Sequence, residues 1–341
     1  MINIDSAAIR ELVCHRTSGE DQGSEPGDSM QGFGTDEEEV LKKIFLKPFL
    51  SNITTWEFGH EIDLELNPLF KLSESINEGG DFVTISGKIC QHLDAVSKHP
   101  NIKEGDLFIM DIDGIVFDGN TYSALGIFKA ENKENFIETG SGPGGRTSIT
   151  FRKGIGSRKL DKACLILFTE RPYTVFIIDT TGNEADYWKN DFVKVNLKQD
   201  AINSTGQFLS IAKSFATKQL PAEFEISKAD QIDLLKRSVE YFRQHDSFEK
   251  QGFEQEVLQD QEVIKSFQNF DSRYRQEKDL LIADEFEISP QVVKQQAKNF
   301  KSVLKLDRNF HIYIHGNREL IKQGVDSDGR KFYKIYFENE S

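Results

Sequence analysis

The sequence predicts an α+β protein: an antiparallel β-meander with flanking helices, followed by a mainly helical region that ends in a small antiparallel sheet. Three observations carry this reading. Short runs rich in Ile, Val, Phe and Thr crowd residues 107–195, and the turns between them are too short for a parallel crossover, which needs a dozen or more residues. Apolar residues recur at helical spacing on both sides of that block. Alternating runs return at the end of the chain, in "FHIYIHG" and "KFYKIYF", which flank the turn-forming "GVDSDG".

In order along the chain, a first apolar segment, Ile2 to Val13, precedes "RTSGEDQGSEPGDSMQGFGTDEEE", whose Gly, Ser and acids read as a mobile loop or long hairpin tip. Thr35 with Glu38 three residues later forms a capping box, and Val40, Leu41, Ile44 and Phe45 supply the apolar stripe of the helix it opens. Ile85, Ile89, Leu93 and Val96 predict a second helix over Val83 to Lys98. The strands follow: "LFIMDI", "YSALGIFKA", "NFIET", "TSITFRK", "KACLILFT" and "TVFIIDT", with "FDGNTY" and "TERPYT" as hairpin turns. Helices return in "TGQFLSIAKSFATK" and in "SKADQIDLLKRSVEYFRQH", the latter capped by Ser227 with Asp230 and carrying Ile232, Leu235, Val239 and Phe242 on one face. A charged helix within Glu254 to Leu281 and another started by Ser289 and Pro290 come next, and "SVLKL" opens the extended end of the chain. With 341 residues there is length for two domains, expected as residues 1–219 and 220–341 with the boundary near "KQLPAEFE".

The net charge of -14 is unevenly spread. Residues 1–80 carry 6 Lys/Arg against 16 Asp/Glu, residues 141–171 carry 7 against 2, and residues 301–341 carry 8 against 6. An acidic total argues against a chain coated in nonspecific DNA-binding charge, yet local basic patches are what meet phosphates. Cys14, Cys90 and Cys164 lie far apart without C-x-x-C spacing, so reduced, mostly buried thiols are expected rather than disulfides or a zinc site. No apolar run reaches membrane-helix length and no signal peptide is legible, so a cytoplasmic location is expected.

Four stretches invite a chemical reading. "FIMDIDGIVFDG" places Asp111 and Asp113 as a phosphatase nucleophile loop would. That loop needs a parallel strand followed by a helix, whereas another strand follows here, so Phe108, Met110 and Ile112 are expected to face the core and Asp111 and Asp113 to face water. "GSGPGGRT" mimics a phosphate-binding loop, but Arg146 replaces its lysine and a strand-like run follows it; a flexible hairpin loop is expected. In "RTSITFRKGIGSRKLDK", Arg146, Arg152, Lys153, Arg158, Lys159 and Lys162 surround a turn at Gly154 and Gly156, so a hairpin tip would present them together to a phosphate backbone; edge-protecting decoration of an exposed hairpin is the plainer alternative. In "FHIYIHGNRE", His311, Tyr313 and His315 share a strand face, but no third ligand is near, so no metal is assigned. With "KFYKIYF", whose Phe332, Lys334 and Tyr336 share a face, it suits nucleic acid or a protein partner. No catalytic triad or zinc-protease motif is present in the sequence, and no cofactor is implied.

"NFHIYIHGNRELIKQGVDSDGRKFYKIYF", "YSALGIFKAENKENFIE" and "VLKLDRNFHIYIHGNRE" resemble segments of the 37-kDa nucleoid-associated protein family of bacteria, especially its Bacteroidetes-type members. The resemblance covers most of the chain and implies association with the nucleoid through DNA or through proteins on DNA; it brings no catalytic residues. The resulting expectation is a non-enzymatic DNA-binding protein that touches phosphates through Arg146, Arg152, Lys153, Arg158, Lys159 and Lys162, helped by Arg318, Lys331 and Lys334. The alternatives are an adaptor recruited by a protein partner and, more remotely, a phosphoryl-transfer enzyme using Asp111 and Asp113. A homodimer is the default oligomer.

Overall fold

The computed structural model describes residues 2–17, 24–99, 102–141, 146–157, 160–180, 187–300, 303–306, 310–313 and 320–339, with residues 299 and 303–305 described by their backbone alone. The α+β expectation holds: a large antiparallel sheet, helices, and small hairpins near the C-terminus. The chain divides into two compact units, Met1–Lys198 and Gln199–Ser341.

The strands of the first unit are β1 (Ala8–Thr17), β2 (Trp56–Phe58), β3 (Gly105–Phe117), β4 (Asn120–Ala130), the separate hairpin β5 (Glu134–Ser141) and β6 (Thr147–Gly154), then β7 (Lys162–Leu167), β8 (Thr174–Asp179) and β9 (Val195–Leu197). Seven of them form one sheet in the order β1-β3-β4-β7-β8-β2-β9, every pairing antiparallel. The β3–β4 connection is the two-residue turn Asp118–Gly119, and both residues have positive φ. That geometry matches the twist of the flanking strands and is why an Asp-Gly pair sits there.

Both faces of the sheet are covered. On one, α2 (Pro68–Asn77), α3 (Phe82–Val96) and the turn Tyr187–Val193 lay Leu69, Phe70, Ile85, Ile89, Trp188 and Phe192 over Leu107, Ile109, Leu125, Ile127, Cys164 and Ile166. On the other, the segment following α1 (Thr35–Leu41) sets Phe45 against Phe108 and Phe128, and Phe49 against Phe128. Two-sided burial explains why β7 reads as an unbroken apolar run rather than an alternating one. It also corrects the water-facing role expected for Asp111, which lies on β3 and is only 9% exposed. The start of α1 differs too. Its N-cap is Gly34, whose amide donates to Glu37, while Glu38 accepts from the Ile9 amide and so ties α1 to β1. Val40, expected in the stripe, is exposed.

His15 of β1 is 2% exposed, and its Nδ1 accepts a hydrogen bond from the Gly27 amide at 2.8 Å. Protonation would destroy that acceptor and create a buried cation, so burial pushes the imidazole down to about 4 from the ordinary 6.5. The stabilisation is complete above pH 6.5 and is lost as pH falls through 4. About 3 kcal/mol should disappear over that interval. Chemical denaturation between pH 7 and pH 4 checks this, and His15→Phe should flatten the acid limb.

In the second unit, α4 (Ala201–Ser214), α5 (Leu220–Glu223), α6 (Lys228–Gln244), β10 (Ser247–Glu249), α7 (Lys250–Phe253), α8 (Gln261–Lys278), β11 (Glu285–Glu287) and α9 (Pro290–Gln296) surround an aromatic core. The Ser227–Asp230 capping box forms as the sequence indicates, and Ile232, Leu235, Val239 and Phe242 are all buried. Phe208 is the hub of the core, with ring centroids of Phe248 at 4.1 Å, Phe253 at 5.1 Å, Phe242 at 5.9 Å and Phe267 at 6.0 Å. Two hairpins end the chain, β12 (Val303–Leu306) with β13 (Phe310–Tyr313) and β14 (Ile321–Val325) with β15 (Lys331–Ile335). They meet α6 where Ile232 and Ile321 are buried among Leu306, Ile312 and Tyr333.

Candidate nucleic-acid interface

The first group of expected cations belongs to the β5–β6 hairpin and its surroundings. The paired strands run from Glu134 opposite Gly154 at one end to Ser141 opposite Thr147 at the other, so Gly154 and Gly156 lie at the base of the hairpin and not at its tip; residues 142–145 lie outside the described residues. Antiparallel register puts Ile137, Ile149, Phe151 and Lys153 on one face and Phe136, Glu138 and Arg152 on the other. Arg152 and Lys153 therefore point apart. Arg152 Nε binds Glu138 Oε2 at 2.9 Å, an exposed pair of small energetic weight. Ile149 and Phe151 are 62% and 78% exposed, so this arm carries apolar as well as basic surface. Arg146 is exposed just before β6. Arg158 and Lys159 lie outside the described residues.

Lys162 does not belong to that surface. It sits in β7, 2% exposed, and its Nζ contacts both carboxylate oxygens of its cross-strand partner Asp179 at 3.1 Å, with the Tyr187 ring 5.2 Å away. The reason is sheet membership: the strand begins at Lys162 itself, so a residue assigned to a loose tip is built into the sheet instead. Its neighbour Asp161 accepts from the backbone amides of Glu131 and Asn132 at 2.8 and 2.9 Å and from the Asn132 side chain at 2.7 Å. Buried Lys129, with its pKa lowered by desolvation, binds Lys103 O at 2.6 Å and Glu131 at 3.1 Å. Together these groups fix the segment from which the arm departs.

The second group lies on the C-terminal hairpins, paired differently from the expectation. "FHIYIHG" pairs with β12 and "KFYKIYF" with β14, so the two do not pair with each other. In β14–β15, Lys322 stands directly opposite Lys334. Both ammonium groups lie over the Tyr336 ring, at 5.6 and 5.0 Å from its centroid. Phe332 folds over Gly324, whose missing side chain is what admits the ring: a Cβ there would fall 2.4 Å from Phe332 Cζ. Lys331 projects from the opposite face, in register with Val325. Like charges directly opposite across a hairpin repel, and neither Lys322 nor Lys334 forms an ion pair with a described carboxylate. The aromatic face offsets part of that repulsion, and an anion would offset the rest. Lys322 was missed because its partner strand was misassigned; counting back from "GVDSDG" by equal steps would have found it. Phe310, His311 and Tyr313 are exposed on β13. Arg318 and His315 lie outside the described residues.

Asp111 and Asp113 do not form an open carboxylate pair. Arg10 of β1 binds Asp111 at 2.9 Å and Asp113 at 3.0 Å, Ser123 donates to Asp113 at 2.7 Å, and a bulge interrupts β3 between Ile112 and Ile115. Hydrogen bonding to Asp111, aided by both negative charges, holds the Arg10 pKa above its ordinary value. Among the described residues no group of three or more His, Cys, Asp or Glu is placed to hold a metal ion, and no helix is long and apolar enough to cross a membrane.

Comparison with known families adds a finding independent of this geometry. The family model for nucleoid-associated protein YejK matches residues 35–333, most of the chain, from the start of α1 to within β15. A search of curated proteins finds no match.

Proposed function

We propose, since the chain belongs to the family of nucleoid-associated protein YejK, that it is a non-enzymatic DNA-binding protein of the bacterial nucleoid that holds DNA mainly through phosphate contacts. The observation that carries this reading is the Lys322–Lys334 pair over Tyr336. Two uncompensated ammonium groups beside an exposed ring offer a phosphate its countercharge and a base its stacking surface. Lys331 adds charge from the opposite face of the hairpin, and Arg146, Arg152, Lys153, Arg158 and Lys159 of the first unit would supply further phosphate contacts. Lys162 supplies none.

The test is DNA binding across a salt series. For wild type, affinity should fall steeply with salt. Changing Lys322, Lys331 and Lys334 to serine should reduce the slope of log K against log salt by about 0.9 for each phosphate contact removed. The variant with Arg152, Lys153, Arg158 and Lys159 changed to serine reports the arm's share by the same measure. An affinity indifferent to salt overturns the proposal.

A second reading, an adaptor held at the nucleoid by a protein partner, is favoured by the exposed Tyr336 and Phe337 beside those lysines. It predicts nucleoid localisation that survives the lysine substitutions and is lost in Tyr336→Ala. The phosphoryl-transfer reading has its own assay, magnesium-dependent phosphatase activity abolished by Asp111→Asn.

A further inference from the structure

One face of the β5–β6 arm is apolar and open. Cross-strand partners share a face, so it runs from Lys153 at the base, through Ile137 opposite Phe151 and Thr139 opposite Ile149, to Thr147 near the tip. Ile137, Ile149 and Phe151 are all more exposed than buried. The other face is satisfied within the arm. Phe136 lies against Gly154, where a Cβ would fall 2.8 Å from its Cε1, and Arg152 pairs with Glu138.

A two-stranded hairpin alone is marginally stable in water; it gains stability when an apolar face packs against something. This arm is held out from a fixed root, because Asp161 accepts from the amides of Glu131 and Asn132 just before β5 begins. An apolar patch presented in that way marks an interaction surface.

We propose that this face packs against the same face of a second copy, the two arms stacking antiparallel about a two-fold axis like the halves of a small β-sandwich. Charge selects that occupant. The face carries no carboxylate, and Lys153 at its base is its one described cation. A phosphate backbone could meet Lys153 but would set Ile137, Ile149 and Phe151 against hydrated charge, whereas a second copy meets apolar with apolar. Antiparallel stacking lays each Lys153 over the partner's Thr147. The two ammonium groups then stand about 20 Å apart at roughly 3.3 Å per residue, beyond the Debye length of about 10 Å in 0.1 M salt. Chains of net charge -14 repel one another, but residues 134–154 hold 3 Lys/Arg against 2 Asp/Glu, so the arms can approach closely. Arg152, on the outer face, and Lys153, at the rim, stay open to phosphate.

Sedimentation velocity of the full chain without DNA, across a wide concentration range, tests the proposal. Wild type should move from one chain to two as concentration rises. Ile149→Ser with Phe151→Ser should weaken the dimer about tenfold or more, with unchanged far-ultraviolet circular dichroism because both side chains are exposed. Phe136→Ser, on the outer face, should leave it unchanged. A short bis-maleimide should link two copies through Thr139→Cys, near the centre of the face, and not through Asn135→Cys at its base; wild type reports any contribution from Cys14, Cys90 and Cys164. A chain that stays monomeric at every concentration, a dimer untouched by Ile149→Ser with Phe151→Ser, or linkage through Asn135→Cys in preference to Thr139→Cys overturns the proposal. So does a monomeric wild type whose DNA binding is lost in the double variant, which assigns the face to nucleic acid instead.

Discussion

Lys162→Met should destabilise the first unit by about 3 kcal/mol while leaving the salt dependence of DNA binding unchanged. The substitution keeps the length and most of the volume of the side chain, so packing is largely retained. What is lost is a buried ammonium in contact with both oxygens of Asp179. Breaking a buried ion pair typically costs about 3–5 kcal/mol, and because only the Lys162 end is fully buried while Asp179 keeps partial exposure, this case lies at the lower end. Urea denaturation with the salt series on the same preparation decides the point. A variant of unchanged stability with a reduced salt slope would return Lys162 to the DNA-contacting set and contradict the role given to it here.

Phe208→Ala is expected to cost the second unit about 3–5 kcal/mol, the range for deleting a buried aromatic ring. The upper part of that range applies because four rings contact Phe208 from different elements: Phe242 on α6, Phe248 on β10, Phe253 on α7 and Phe267 on α8. No single neighbour can move to fill the space without leaving its other partners. Phe208→Leu retains part of the volume and should cost less. Denaturant midpoints of the two variants, followed by a probe specific to the second unit, check the order; equal midpoints would show that the core repacks freely.

Much of this was legible in the sequence because local signals and tertiary demands agree. The Ser227–Asp230 cap, Pro290 at a helix start, the Asp118–Gly119 turn and the strands of β3, β4, β7 and β8 each carry a backbone preference that the fold uses. Helix α2 went unread because its apolar residues, Leu69, Phe70 and Ile76, are interleaved with the polar Lys71, Ser73 and Glu74 and follow a proline. The cap at Gly34 was misread because a glycine has no side chain to announce itself, although Glu37 supplies the reciprocal bond. Lys162 and Asp111 failed for a shared reason. Alternation tells which residues share a face, but not whether both faces are covered, and Asp111 and Lys162 stand on the face of Leu125, Cys164 and Ile166, which α2, α3 and Tyr187–Val193 cover from far away in sequence. For the candidate interface, the aromatic and basic character of the C-terminal hairpin was legible in composition, whereas the Lys322–Lys334 pairing required knowing which strand lies beside which.

The strand order also has a consequence for how the chain is made. β2 ends at Phe58, yet its partners are Val175 on β8 and Leu197 on β9, well over a hundred residues later. At roughly 5–20 residues per second of synthesis, β2 waits on the order of ten seconds for either of them. At the start of that interval the apolar faces of α2 and α3 have emerged without any of the strands that later cover them, since β3, β4, β7 and β8 come off the ribosome after both helices. Nascent chains stalled before about residue 105 therefore present Leu69, Phe70, Ile85 and Ile89 to solvent, and should be the species that chaperones engage.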